Sequence, residues 1–257
     1  MVQSIKTLTL FLLCIFISEN SATASATAHL SNDGKTLTFL AHLYFYGEGA
    51  SEKLLQASLD EINLYWNGST HQDPKAIPLY GYIGEKKVTF SMIVSGEVIS
   101  SEQAAHLIGS NPPIGNNFIN ILAHPSDPKE PHSYMDKICG STGTWFLTDD
   151  LGESTTSAHE FGHGLCLIHP FTADLRQQGA PWIMVPRNSL VDAIYQIDPK
   201  ARPGKPGGSV NPLLRRVLQR DLEGIYWESM EFNSDGIAAV GEAALPPHQY
   251  NLMERVE

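Results

Sequence analysis

The segment Ser157-Ala-His159-Glu160-Phe-Gly-His163-Gly-Leu-Cys166-Leu-Ile-His169-Pro170 constrains this chain more than any other stretch. His159 and His163 stand four residues apart, so on a helix both imidazoles project from one face and reach a single ion. Glu160 sits beside that face. Zinc suits imidazole nitrogen; in a catalytic site it takes three protein ligands and keeps a fourth position for water, so the pair requires a third ligand nearby. His169 supplies it if the helix ends soon after Leu165 and the chain turns back. Ser157-x-x-Glu160 also reads as a capping box, which is what a plain helix start would carry. The third histidine, a strand before the segment and a methionine after it favour the metal.

A chain of 257 residues, 42% hydrophobic and 18% charged, has the composition of a globular domain able to surround such a site. Its net charge of −11 argues against nucleic acid or an anionic membrane surface as the main partner. Met1 to Lys6 lead into the apolar run Leu8 to Ile17 and then into small residues through Ala22, Ala24, Ala26 and Ala28, the order of a secretory signal peptide over 1–28. The run is too short to span a bilayer, so no membrane span is expected after its removal. The expected location is secreted, periplasmic or extracellular. There Cys139 and Cys166 are free to pair, or they remain as two buried small apolar residues.

From Lys35 to Tyr46, Leu37, Phe39, Ala41, Leu43 and Phe45 alternate as in a strand. Leu55, Leu59, Ile62 and Trp66 then recur at helical spacing, predicting an amphipathic helix over 51–66 stopped by Asn67-Gly68. Val88 to Val94, Asn117 to Leu122 and Thr144 to Thr148 are further short strands, giving the order β-α-β-β-β-helix. His124 to Asp136, polar and broken by prolines, reads as a surface loop, and Leu213 to Tyr226 reads as a helix after a Pro/Gly-rich stretch. Asn67-Gly-Ser69 is a glycosylation acceptor by pattern. Without a linker or repeat, 29–257 reads as one domain, divided by a cleft into lobes 29–169 and 170–257.

The histidine segment resembles the metzincin zinc-peptidase signature, His-Glu-x-x-His-x-x-Gly-x-x-His followed by a Met-turn, for which Pro181-Trp-Ile-Met184 is the counterpart. Phe161-Gly162 and the stretch Leu218 to Tyr226 are similar to matrixins, and Pro170 is similar to serralysins. The resemblance implies an α+β, zincin-like fold: a mixed twisted sheet, an active-site helix and a smaller C-terminal lobe. It implies a catalytic Zn2+ on His159, His163 and His169, Met184 as an apolar floor, and hydrolysis of a protein or peptide substrate by water that Glu160 activates as general base. Cys166 replaces the glycine that lets the chain turn back, so either Gly164 takes over the turn or a Cys139–Cys166 bridge holds a strained backbone. Pro186 stands where some members place a tyrosine. His124, Asp127, His132 and Asp136 fall where matrixins carry an additional structural metal. Other readings are a zinc hydrolase of cell-wall peptides, a non-catalytic binding or toxin-like module, and a zincin branch with Glu223 as third ligand.

Overall fold

The alternation between Lys35 and Tyr46 becomes the central strand of one mixed sheet. In the computed structural model, which describes residues 24–129 and 131–242, this strand is β2 (Thr36–Tyr46), preceded by a short β1 (Ala26–Leu30). Leu37, Phe39, Ala41, Leu43 and Phe45 are all buried, as a period of two requires when one face meets the core. One edge of β2 pairs in parallel with β4 (Lys86–Val98), which carries the antiparallel β3 (Tyr80–Ile83) at the sheet margin. The other edge is shared. Its first half pairs with β1 and its second half with the parallel β5 (Asn116–Leu122). Beyond β5 lie β7 (Thr142–Phe146), parallel, and the antiparallel edge strand β6 (Tyr134–Met135); β8 (Ile237–Val240) closes onto β1.

Helix α1 (Glu52–Trp66) begins where Ser51 accepts a hydrogen bond from Leu54 N. Its stripe of Leu55, Leu59, Ile62 and Trp66 packs against β4 and against α3 (Thr156–Gly164). The expected order therefore stands, with elements added between its members. α2 (Ser101–Gly109) escapes a hydrophobic-period reading because only Ala104 of it is buried, although the capping box of Ser100 and Gln103 marks its start. The 124–136 stretch is not wholly loop, since Tyr134–Met135 forms β6.

One expectation is corrected. No helix runs from 213 to 226. Pro212–Leu214 is a single 3-10 turn and α4 spans only Gln219–Glu223. Between them Arg216 bridges to Trp182 and its N–H donates to Pro181 O at 3.1 Å, so a tertiary strand contact overrides the local periodicity. Asn67 ends α1 as its C-cap: its Nδ2 donates to Asn63 O and Met92 O, and its Oδ1 accepts from Met92 N.

The main core includes the β2 and β4 residues, the α1 stripe and, from the far end of the chain, Val217, Leu222, Ile225, Ala238 and Val240. Leu175, Val185, Val191 and Val210 form a smaller separate cluster. The chain after 170 thus divides, 175–210 packing around its own cluster and 217–240 rejoining the sheet. Residues 1–23 of the expected signal segment lie outside the described residues. Ala26 to Ala28 belong to β1, so a boundary at 28 falls within a paired strand. Among the described residues no helix is long and apolar enough to cross a membrane.

Candidate metal centre

Every residue of α3 is buried, so the helix is fixed from all sides. Ser157-x-x-Glu160, which by pattern also reads as a capping box, does not cap its start. Thr155 precedes the helix in the left-handed region, φ 72°, with no side-chain cap, and Ser157 Oγ bonds instead to Ser58 Oγ and Gly152 N. The cap comes from a neighbouring helix. Glu61 of α1 accepts from Ala158 N at 2.9 Å, a carboxyl set at the positive end of the helix dipole. Burial pushes Glu61 up to about 7, against the pull of the backbone N–H groups of Ala158, Thr155, Ser154 and Ser157. Trp66 Nε1 donates to Ala158 O at 3.0 Å and fixes the same turn.

At the other end Leu167 N donates to Gly162 O and Cys166 N to His163 O, a reversal with Cys166 itself left-handed at φ 73°. Gly164 stays in the helix; a side chain there would meet Ser25 Oγ at 2.9 Å, so its smallness serves packing rather than the turn. Cys166 is disulfide-bonded to Cys139, which is also left-handed at φ 66° and donates its N–H to His163 O at 2.8 Å. The bridge clamps the point where the chain leaves the helix and heads back toward His169.

His159 Nδ1 donates to Ile183 O at 2.7 Å and His163 Nδ1 to Leu167 O at 2.8 Å. A carbonyl can only accept, so both rings turn an Nε2 lone pair inward. Those two nitrogens lie 3.0 and 3.1 Å from His169 Nε2. A single cation at this point would be ligated by all three nitrogens at once. Burial lowers His159 well below the usual histidine range and His163 to about 3, which keeps both rings in the neutral, ligating form. His159, His163 and His169 can together hold a metal ion.

Beneath them Trp182 to Val185 form a tight turn, closed by Val185 N donating to Trp182 O at 3.1 Å, with Met184 buried. Met184 Sδ occupies the space a side chain on Gly162 would need, 2.5 Å from that missing Cβ. Asp221 holds the turn from behind, accepting from Leu218 N at 2.8 Å and Ile183 N at 3.4 Å, and burial pushes it up to about 7.

The triad lines a cavity of about 750 Å³ together with Glu160, Asp149, Arg187 and Arg215. Burial raises Glu160 well above the usual carboxylate range, opposed by Arg215. Arg187 donates to Asp149 O at 3.0 Å and Thr156 Oγ1 at 2.7 Å. Asp149 accepts from Ser133 N and Ser133 Oγ and faces His132 Nδ1 at 3.2 Å. His132 therefore belongs to this cavity. Among the described residues His124, Asp127, His132 and Asp136 form no second metal grouping, and Glu223 is exposed and apart from the triad. Glu61, Asp149 and Arg215 carry no signal in the sequence, because chain segments far apart bring them here. Asp221 lay in a stretch already singled out.

No protein-family model matches the chain, and no curated protein matches it significantly. The fold and the site define a mixed α+β protein with a cluster of three histidines able to hold a metal ion.

Proposed function

We propose that this chain is a zinc-dependent endopeptidase of metzincin type, exported from the cytosol, with zinc on His159, His163 and His169 and Glu160 as its general base. The observation that carries this reading is the convergence of three Nε2 atoms in a cavity that also holds a buried glutamate. The buried turn at Met184 beneath the histidines supports the metzincin assignment, as does the mixed sheet beside the histidine helix. A disulfide between Cys139 and Cys166 supports export, since such bonds persist outside reducing compartments.

Zinc bound by this triad supplies a Lewis acid that polarises the scissile carbonyl and acidifies water. Glu160 takes the proton from the attacking water as the new C–O bond forms, and gives it to the leaving nitrogen as the C–N bond breaks. β6 is an edge strand, and Ser133 to Asp136 border the cavity, so an extended peptide can add to that edge with its scissile bond over the histidines.

Zinc content and cleavage of a denatured general protein substrate, with and without chelator, test this on the mature protein and on Glu160→Gln. The expected result is one zinc per chain in both proteins, with cleavage abolished by chelator and lowered in Glu160→Gln by at least about a hundredfold. Full activity in Glu160→Gln, or cleavage indifferent to chelation, would sink the reading. Stoichiometric zinc with turnover of cell-wall peptides alone would move the substrate class and leave the chemistry.

A further inference from the structure

We propose that Arg215 determines specificity at this site by receiving a carboxylate of the substrate, so that cleavage falls beside an acidic residue. The inference rests on the peptidase reading for its substrate class and on Arg215 itself for the rest. Arg215 is 2% exposed, its Nε is buried without a hydrogen-bond partner, and among the described residues no carboxylate lies within ion-pair distance of its guanidinium. It nevertheless lines the cavity, beside Glu160 and His159.

The other cations at the cavity are engaged. Arg187 is hydrogen-bonded to Asp149 O and Thr156 Oγ1, and Lys137 pairs with Glu242 at 2.7 Å. A guanidinium removed from water without a partner is costly, and an apolar residue of similar volume would stabilise the fold more. Arg215 is held in this position by its neighbours: its N–H donates to Pro212 O, and Arg216 is tied to the strand contact at Trp182. The planar fork of arginine matches a carboxylate through two parallel hydrogen bonds. A side-chain carboxylate entering the cavity along Pro186 to Asn188, which follow Met184 in the chain, completes the missing pair. Burial pulls Arg215 down to about 9, which leaves it charged at neutral pH.

Two measurements decide it. In the first, the zinc-loaded mature protein digests a complex peptide mixture and the cut sites are mapped by mass spectrometry. The expected profile shows Asp or Glu enriched at one position flanking the cut by at least about tenfold over Asn and Gln. Arg215→Met should lose that enrichment and Arg215→Lys keep part of it, with the loss appearing in KM and kcat/KM for acidic peptides and not for neutral ones. Identical profiles in wild type and Arg215→Met would overturn the proposal. So would an equal loss of kcat on acidic and neutral peptides, which would put Arg215 on the reacting carbonyl instead.

The second measurement needs no turnover. The Arg215 Nε–H resonance is followed by 15N NMR in the Glu160→Gln protein, titrated with acetyl-Ala-Glu-Ala-amide and with its Gln counterpart. The Glu peptide alone should move it; no movement with either overturns the proposal. Cleavage without acidic preference would remove the role of Arg215 and leave the peptidase, whereas a shifted resonance without any cleavage would remove the peptidase and leave the carboxylate site.

Discussion

Cys166 is a residue doing a glycine's work. Its backbone sits at φ 73°, a conformation that costs a non-glycine residue about 1–3 kcal/mol, and the Cys139 bridge holds it there. Removing the bridge with Cys139→Ala is expected to lower stability by about 2–4 kcal/mol in denaturant unfolding. In that background Cys166→Gly should be more stable than Cys166→Ala by about 1 kcal/mol, because glycine takes the left-handed turn freely. Equal stabilities would mean the strain lies elsewhere in the reversal. The histidine pair was readable at this scale because spacing alone places His159 and His163 on one helical face. Arg215 was not, since an arginine in a helical-looking stretch reads as a solvated side chain until the fold buries it.

At the scale of elements, α3 is held in register by groups from outside it. Glu61 caps its start, and the Met184 turn, steadied by Asp221, lies beneath its middle. Glu61 is raised from 4.5 to about 7, so the folded protein binds that proton more tightly than the unfolded chain. Between those pH values folding takes up a proton, and stability from this group falls as pH rises. Glu61→Gln cannot titrate. Urea unfolding in chelator should therefore show the wild type's advantage over Glu61→Gln shrinking by on the order of 3 kcal/mol from about pH 5 to pH 8; a constant difference would refute the buried, proton-holding carboxyl. Gly162→Ala tests the floor. Its new Cβ would lie 2.5 Å from Met184 Sδ and 3.3 Å from Trp66 Cζ2, so the floor or the helix must move. The expected cost is about 1–3 kcal/mol of stability with weaker zinc binding, read by unfolding and by chelator competition. Periodicity located α1 and β2 because each buries one face continuously. It missed α2, whose single buried residue leaves no stripe, and it overextended the helix after Leu213, where the contact with Trp182 straightens the chain.

Over the whole molecule, a metal ion held by His159, His163 and His169 would join α3 to the returning segment, and its binding energy would add to folding energy. With free zinc about a thousandfold above its dissociation constant the gain is about 4 kcal/mol, worth roughly 10 °C in Tm for a chain of this size. Calorimetry should show Tm falling by that order in chelator and recovering with zinc. An unchanged Tm would mean that the triad is not a metal centre. The sequence by itself determined that His159, Glu160 and His163 share one helix and where the central strand and helix α1 run, because these depend on spacings of a few residues within one element. The tertiary structure alone decided that Glu61 caps the histidine helix, that the Cys139–Cys166 bridge closes its reversal, and that Arg215 is buried unpaired in the cavity. Those contacts join residues 27 to 97 positions apart in the chain, or bury a charge among distant segments. Their energies come from burial and close approach, which no local period encodes.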